Sequence, residues 1–282
     1  MKLLNLGCGR TYHNDWVNID FVSNSKYVEA HNLLNGIPIN DNCVDVVYHS
    51  HILEHFSKQD GFHFMEECYR VLNTNGIIRV AVPDLEIIAI EYIRNLQLAI
   101  EGNVEAKHNY EWIKLELLDQ TVRNESGGDM KNYLYQPIIE NESYVYKRIG
   151  SEGKIIRESF LNKQDLMKEK KPIQPKVSIL KLLLKKGKRV IAKIKAGKRK
   201  SDLTEEESKA LKIGQFRLGG EIHQWMYDRY SLSELLSQVG FSEIKVCSAF
   251  ESEIQNWETY QLDVINGEVR KPDSLFMEAK KL

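Results

Sequence analysis

Short apolar runs alternate with polar or helical stretches over the first 84 residues. The runs at 3–6 and 44–50 predict buried strands, because they are short and rich in apolar or β-branched residues. Apolar positions at helical spacing predict a helix over 60–72 that ends at Asn75-Gly76. Further strands are predicted at 16–20, 27–33 and 77–82. This alternation predicts a parallel sheet with right-handed crossovers.

The pattern changes after residue 84. Helical spacing dominates 85–215, with helices predicted over 85–100 and 110–122 and no clear strand of the sheet. Sheet-like order resumes near Tyr227, where we predict a helix over 231–239 with Ser231 as N-cap and Glu234 completing a capping box. Strands are predicted at 244–250 and 274–280. We therefore predict a core made of 1–84 and 216–282 and a helical insertion at 85–215.

A Gly-x-Gly turn, Gly7 to Gly9, follows the first predicted strand, and the second strand ends on Asp20. Glycine lets the backbone approach a ligand closely, and a carboxylate at the neighbouring strand end can accept hydrogen bonds from ribose hydroxyls. Only ten residues separate Gly9 from Asp20, whereas a dinucleotide-binding unit has about 20. The pattern predicts a nucleoside site, argues against a nicotinamide cofactor and predicts a first crossover without a full helix.

Composition narrows the class of protein. Hydrophobic residues make up 42% and charged residues 28%, with a net charge of −1, which is ordinary for a globular protein and unlike a polyanion binder. The 4 cysteines are scattered, which predicts reduced thiols without a disulfide frame or zinc site. No apolar run approaches the about 20 residues of a membrane span, and the first strand leaves no room for a signal peptide. We expect a cytoplasmic protein.

One segment is far more basic than the chain as a whole. A basic segment is predicted over 168–200, and its part 176–200 carries 11 lysines and arginines and no acidic residue, with apolar residues at helical spacing. Such a helix suits peripheral contact with an anionic membrane at its inner face. A solvated helix or linker and a nucleic-acid contact are the alternatives. Because the segment has no aromatic residue for base stacking, nucleic acid is the less favoured partner.

Taken in order, several segments resemble the class I S-adenosylmethionine-dependent methyltransferases, in particular the methyltransferase type 11-like group. The resemblance covers 1–84 and 227–282. It implies an α/β, Rossmann-like, doubly wound and mostly parallel seven-stranded sheet with an antiparallel last strand, supplied by 274–280. The helical insertion would then form a substrate lid. The matching segments are LNLGCG (4–9), NID (18–20), HNLL (31–34), VDVVYHSHILEH (44–55), ECYRVL (67–72) and GF (240–241).

The resemblance also implies the cofactor, S-adenosyl-L-methionine, and its site. The glycines would pass beneath the methionine and ribose parts, and Asp20 would bind the ribose hydroxyls. Asn32 stands where many members carry an aspartate near the adenine amino group, and its amide oxygen can accept the same hydrogen bond. Leu33 would pack on adenine. The implied cofactor-binding residues are Asn5, Gly7, Cys8, Gly9, Asp20, Asn32, Leu33, Ser50 and His51.

Methyl transfer to a hydroxyl needs positioning and a base, and histidine is suited to that role near neutral pH. His51, beside the methionine position, is the first candidate, and His223, in the polar-aromatic run 223–228, is the second. Asp84 follows a strand, so it either orients substrate or caps the helix that starts at residue 85. Arg123 either holds an anionic group or forms a surface salt bridge.

The run from His51 to His55 matches His-x-x-Glu-His, a pattern of one group of zinc peptidases. The sequence indicates no third ligand, and we therefore expect no metal. In the alternative interpretations, Glu54 and His55 cap the following helix or brace the cofactor loop, or a histidine acts on the substrate.

The sequence thus predicts methyl transfer to a hydroxyl of a small molecule or a glycan, including a lipid-linked glycan. Two alternatives are an RNA methyltransferase that uses the basic segment, and a non-catalytic binding module that keeps the fold without the chemistry.

Overall fold

The computed structural model describes residues 1–23, 25–169 and 203–282. A seven-stranded sheet has the order β3-β2-β1-β4-β5-β9-β6, and a separate hairpin is formed by β7 and β8. The strands are β1 (Leu3–Leu6), β2 (Val17–Asp20), β3 (Val28–Ala30), β4 (Val44–Ser50), β5 (Leu72–Pro83), β6 (Ser242–Cys247), β7 (Val264–Ile265), β8 (Glu268–Val269) and β9 (Ser274–Lys280).

The strand directions confirm the predicted fold class. Strands β1 to β5 pair in parallel. Strand β9 lies between β5 and β6 and is antiparallel to both. Its first residue, Ser274, pairs with Pro83 at the end of β5, so the amino end of β9 meets the carboxyl ends of the parallel strands.

Helices flank this sheet. The helices are α1 (Lys58–Val71), α2 (Leu85–Ile100), α3 (Val104–Val122), α4 (Gly128–Leu134), α5 (Glu142–Glu169), α6 (Glu205–Arg217) and α7 (Arg229–Val239). Helix α5 is kinked at Gly150, which has φ 63° and ψ −151°. Short 3-10 turns lie at Leu33–Asn35, Leu53–His55 and Trp257–Tyr260.

Several predicted helix boundaries were wrong: the helix predicted over 110–122 begins at Val104, and the helices predicted over 60–72 and 231–239 also have other ends. Helix α1 ends at Val71, and Leu72 already begins β5, so Asn75-Gly76 forms an irregularity inside β5 with Asn75 at φ 64°. The N-cap of α7 is Asp228, whose side chain accepts from the Ser231 N–H while the Ser231 hydroxyl accepts from the Asp228 N–H. Asp228 has an extended backbone, so its carboxylate reaches the first turn and starts the helix earlier than predicted.

The first crossover contains no helix, as the glycine-to-carboxylate spacing predicts. Residues 7–16, between β1 and β2, form turns and loop. An aromatic cluster covers the sheet face there instead. Trp16 packs edge-on against Tyr48, with ring centroids 6.1 Å apart, and against Tyr260 at 5.2 Å, and Trp257 completes the group.

A buried arginine cluster lies against these aromatic rings. It consists of Arg79, Asp263, Glu278 and Tyr48. Arg79 is fully buried, and it donates from Nε to Asp263 Oδ2 at 2.8 Å and from Nη1 to Glu278 Oε1 at 2.8 Å. The Tyr48 hydroxyl donates to the second oxygen of Asp263 at 2.6 Å. The guanidinium also donates to three backbone carbonyl oxygens, those of Ser248, Ala249 and Glu251.

Helices account for the regular structure between the two parts of the sheet. In the stretches 85–169 and 203–217 the structure has helices and no strand. Helices α3, α4 and α5 share a small apolar cluster that includes Trp112, Leu134 and Val145. The basic segment 176–200 lies outside the described residues. No helix among those described is long and apolar enough to span a membrane.

Candidate functional site

Two cavities meet at the carboxyl ends of β1 and β4. The first, the loop cavity, has a volume of about 500 Å³ and is lined by the loop from Gly7 to Thr11. The second, the histidine cavity, has a volume of about 450 Å³ and is lined by His51, His55 and His223. Four residues border both cavities: His51, Glu152, Ile156 and Lys271.

The glycine loop leaves β1 in a left-handed conformation. Gly7 has φ 62° and Gly9 has φ 55°, a region that side chains disfavour. A Cβ on Gly7 would lie 2.4 Å from Ile52 Cδ1, whereas one on Gly9 would point into open space. The loop therefore presents bare backbone to the cavity at Gly9, which is what close approach of a ligand requires.

Asp20 and Asn5 hold this loop in place. The Asp20 carboxylate accepts from the Gly9 N–H at 2.8 Å and from the Val22 N–H at 3.2 Å. The Asn5 side chain is buried and donates to Asn18 Oδ1 at 3.2 Å. Asn5 lines the loop cavity, whereas Asp20 does not line it and contacts the loop through the Gly9 N–H.

Of the other predicted cofactor residues, two line the loop cavity, and Asn32 and Leu33 line neither cavity. Cys8 and Ser50 line the loop cavity, and Ser50 Oγ accepts from Arg270 Nη2 at 2.8 Å. Burial raises the pKa of the Cys8 thiol to about 12, with the Asp20 charge adding to the effect. Asn32 caps a 3-10 turn, its side chain accepting from the Leu34 N–H at 3.1 Å, and Leu33 is buried below.

His51 stands where the two cavities join. It follows the last residue of β4 and has φ 54°, an unusual conformation for a residue with a side chain and one that is found at functional sites. Its Nε2 lies 2.7 Å from Ser274 Oγ, and its Nδ1 lies 3.3 Å from Glu54 Oε1. The side chain is thus fixed between the antiparallel strand β9 and the turn that follows β4.

Three imidazoles surround the carboxylate of Glu54. We call His51, Glu54, His55 and His223 the histidine cluster. Nε2 of His55 lies 4.0 Å from Glu54 Oε1, and Nε2 of His223 lies 3.9 Å from the same oxygen. Glu54 is fully buried, yet neither carboxylate oxygen has a hydrogen-bond partner among the described residues.

Burial sets the charge of this cluster. It raises the pKa of Glu54 to about 8 and lowers that of His223 to about 2. The pKa of His51 is well below its ordinary value, because the ring is buried and Lys271 and Arg270 are close. Neutral histidines with free nitrogen lone pairs therefore face a carboxyl group that has no counter-charge bonded to it.

Two further predicted residues have well-defined surroundings. Asp84 caps α2, its carboxylate accepting from the Ile87 N–H at 3.1 Å, and it lines neither cavity. Its role in orienting substrate stays a prediction. Arg123 lines the histidine cavity and forms two salt bridges, one with Asp119 Oδ2 at 3.3 Å and one with the partly exposed Glu221 Oε1 at 3.2 Å.

Lys271 and Asp273 also line the histidine cavity, and neither was predicted from the sequence as a site residue. Lys271 borders both cavities and pairs with Glu152 at 3.2 Å. Asp273 lines the histidine cavity with its Oδ1 buried, and desolvation together with the Glu116 charge raises the pKa of the carboxyl group to about 7. Both residues precede β9. An antiparallel last strand brings its amino end to the active edge of the sheet, and that was the signal available in the sequence.

Comparison with known proteins gives one family match. Residues 11–80 match the family model described as a methyltransferase domain. No curated protein matches the chain.

Solved structures that resemble the chain include methyltransferases from three microorganisms. A S-adenosylmethionine-dependent methyltransferase from Thermotoga maritima has 11% identity and a TM-score of 0.39, with 100% of this chain and 82% of that chain covered. One from Archaeoglobus fulgidus has 11% identity and a TM-score of 0.37, with 99% of this chain and 86% of that chain covered. The methyltransferase in a complex with the Trm112 methyltransferase activator of Haloferax volcanii has 12% identity and a TM-score of 0.37, with 99% of this chain and 82% of that chain covered. Because these TM-scores are low, we assign the fold from the strand order of the sheet and not from these structures.

The loop cavity fits the cofactor that such a domain uses. Gly9 offers open backbone, Asp20 supplies a carboxylate at the adjacent strand end, and Arg10 and Arg270 line the cavity as cations for a carboxylate group. The chain thus matches a methyltransferase domain over residues 11–80, and its sheet has the strand directions of the class I S-adenosylmethionine-dependent methyltransferases that it resembles, which implies S-adenosylmethionine as the cofactor.

Proposed function

We propose that this methyltransferase acts on a hydroxyl group of a small polar acceptor of the sugar class, held in the histidine cavity. The observation that carries the proposal is the position of His51, which borders both the loop cavity and the histidine cavity. A group at this junction lies between the cofactor and the acceptor. S-adenosylmethionine supplies a methyl group on a sulfonium, and its departure leaves a neutral thioether that needs no acid.

His51 is the candidate general base. Its Nδ1 faces the Glu54 carboxyl group, and its Nε2 contacts the Ser274 hydroxyl. An acceptor hydroxyl that takes the place of Ser274 Oγ beside Nε2 can pass its proton to the ring as the methyl group transfers. A positioned base of this kind contributes about 10²–10⁴-fold to the rate.

The size and lining of the histidine cavity favour a sugar-like acceptor. A volume of about 450 Å³ lies within the range of small-molecule sites. Its polar wall offers groups of both signs and a neutral amide, namely Arg123, Lys131, Glu221 and Gln120. Such a mixture suits an uncharged ligand with several hydroxyl groups. Attachment of that sugar to a lipid is the part of the proposal that depends on 176–200, outside the described residues.

The test is methyl transfer from labelled S-adenosylmethionine to a panel of mono- and disaccharides, lipid-linked glycans, amines and transfer RNA. We expect label in a sugar ether and a kcat about 10²–10⁴-fold lower for His51→Asn. The matched control is His63→Asn, because His63 is exposed on α1 and pairs with Glu66. Transfer to an amine or to RNA, or an unchanged rate for His51→Asn, would contradict the proposal.

Asp20 is proposed to bind the ribose. Calorimetric titration with S-adenosylhomocysteine should show affinity about tenfold to a hundredfold weaker for Asp20→Ala, because a hydrogen bond to a charged group contributes about 1.5–3 kcal/mol. The exposed Asp15→Ala is the control. Equal affinities for the wild type and Asp20→Ala would show that Asp20 does not bind the ribose.

A further inference from the structure

We propose that Glu54, His55 and His223 form a binding site for a divalent transition metal ion of the zinc class. One ligand atom from each residue lies within 4.8 Å of the others. Two imidazoles and one carboxylate are a donor set typical of zinc and neighbouring first-row metals. The third ligand, His223, comes from a segment far along the chain, so the pattern around His51-x-x-Glu54-His55 could not reveal it.

The tautomer of His55 favours metal binding. Its Nδ1 lies 3.1 Å from the carbonyl oxygen of Ile222, an acceptor, so Nδ1 carries the hydrogen. The lone pair is then on Nε2, the atom that faces Glu54 Oε1. A histidine that binds a metal commonly donates its other ring N–H to a backbone carbonyl, which fixes the ring in this way.

Glu54 is short of partners in a way that a metal would satisfy. Both of its carboxylate oxygens are buried and have no hydrogen-bond partner within the described part of the chain. An unpaired buried polar atom costs about 1–3 kcal/mol. A structural role for Glu54 as a helix cap is not observed, because Ser57 caps α1.

The backbone holds the three ligands close together. The N–H groups of Gln224 and Trp225 donate to the Glu54 carbonyl oxygen at 2.7 and 3.2 Å. The Gln224 side chain donates to the His55 carbonyl oxygen at 2.8 Å. The segment that carries His223 is therefore bonded to the turn that carries the other two ligands, and such support is what a metal site requires.

The three ligands line the histidine cavity, which leaves further coordination positions open to it. If the proposed function holds, a metal there would bind the acceptor hydroxyl and lower its pKa, while His51 takes the proton. The metal site itself does not depend on that function.

The experiment is metal titration of the full chain after chelator treatment, using Zn²⁺ by calorimetry and Co²⁺ by visible absorption. We expect one ion per chain and Co²⁺ bands that report nitrogen and oxygen ligands. Glu54→Gln and His223→Gln should each weaken binding by more than the about 10–100-fold that follows loss of a supporting partner. His63→Gln is the matched control, because it removes an exposed histidine that also faces a glutamate.

Circular dichroism of each variant confirms that it is folded. No Zn²⁺ binding by the wild type, or equal binding by folded His223→Gln, would overturn the site. Methylation of a sugar by a protein that binds no metal would overturn the site and leave the proposed function standing. Metal binding that both variants lose, without methylation of any acceptor, would support the site and count against the function.

Discussion

The arginine cluster and the histidine cluster are both buried, but they differ in how their polar groups are paired. Arg79 donates to two carboxylates and three carbonyl oxygens. Glu54 has three imidazoles around it and no hydrogen bond to either carboxylate oxygen within the described residues. Full pairing is what a buried charge needs for stability, whereas missing partners mark a place where a ligand can supply them. The pairing of the first cluster supports the fold, and the unpaired groups of the second are the basis of the ligand site that we propose.

The largest effect is expected from breaking the arginine cluster. Arg79→Ala should lower the free energy of unfolding by about 3–5 kcal/mol, because it leaves Asp263 and Glu278 buried without their cation. Urea unfolding measures this, and the exposed Arg94→Ala is the control, expected to change stability by less than about 0.5 kcal/mol. A loss below about 1 kcal/mol for Arg79→Ala would mean that its pairing is not needed for stability.

A smaller loss is expected from the hydroxyl of Tyr48. Tyr48→Phe should cost about 1.5–3 kcal/mol, because it removes a hydrogen bond to the charged and buried Asp263. The measurement is again urea unfolding, with cofactor affinity followed beside it because Tyr48 also borders the loop cavity. Unchanged stability would show that Asp263 finds another donor and that the arginine cluster is less fully specified than its geometry indicates.

A substitution in the histidine cluster is expected to raise, not lower, the free energy of unfolding. In the metal-free protein, Glu54→Met should raise the free energy of unfolding by about 1–3 kcal/mol, because it removes an unpaired buried carboxyl group at similar volume. Thermal and urea unfolding would measure the gain, with the exposed Glu66→Met as control. If Glu54→Met were destabilised as strongly as Arg79→Ala, the two clusters would share one structural role.

The smallest change in stability is expected from Ser274→Ala, which removes the hydroxyl beside His51 Nε2. Unfolding free energy should fall by about 0.5–1.5 kcal/mol, the usual value for one hydrogen bond. The kcat should change more than the affinity for S-adenosylhomocysteine, because the hydroxyl lies beside Nε2, where we propose that the acceptor binds, and does not line the loop cavity. If the variant had an altered cofactor affinity and a normal kcat, the Ser274 hydroxyl would have no role in the methyl-transfer step.

Much of the fold could be predicted from local pattern. The strands at 44–50 and 274–280 and the helix at 85–100 match β4, β9 and α2. Buried strands show as short β-branched runs, and a long helix shows in its spacing. Helix ends were harder, as Asp228 and Asn75 show, because a cap depends on where one side chain turns and not on periodicity.

Only the site residues that lie within one recognisable sequence segment could be predicted. The loop at Gly7 and Gly9 and the junction residue His51 lie on segments with a recognisable order, and they do border one cavity. The contact of His223 with Glu54 and the position of Asp273 come from chain segments that meet only in the folded molecule. Burial and pairing, which distinguish Glu54 from Glu278, are properties of that tertiary packing and have no local signal.

The place of β9 in the sheet has a consequence for the order of folding. Its register joins Ile77 to Lys280 and Pro83 to Ser274, pairs that are far apart in the chain. During synthesis, β5 therefore presents an open edge until the last of these strands leaves the ribosome, and β6 has no neighbour in the sheet until then. Contacts of such long range slow folding. The strand that begins at Ser274, directly after the cavity-lining Asp273, thus completes the sheet, so a nascent chain acquires this wall of the histidine cavity and the last pairing of its sheet in a single event.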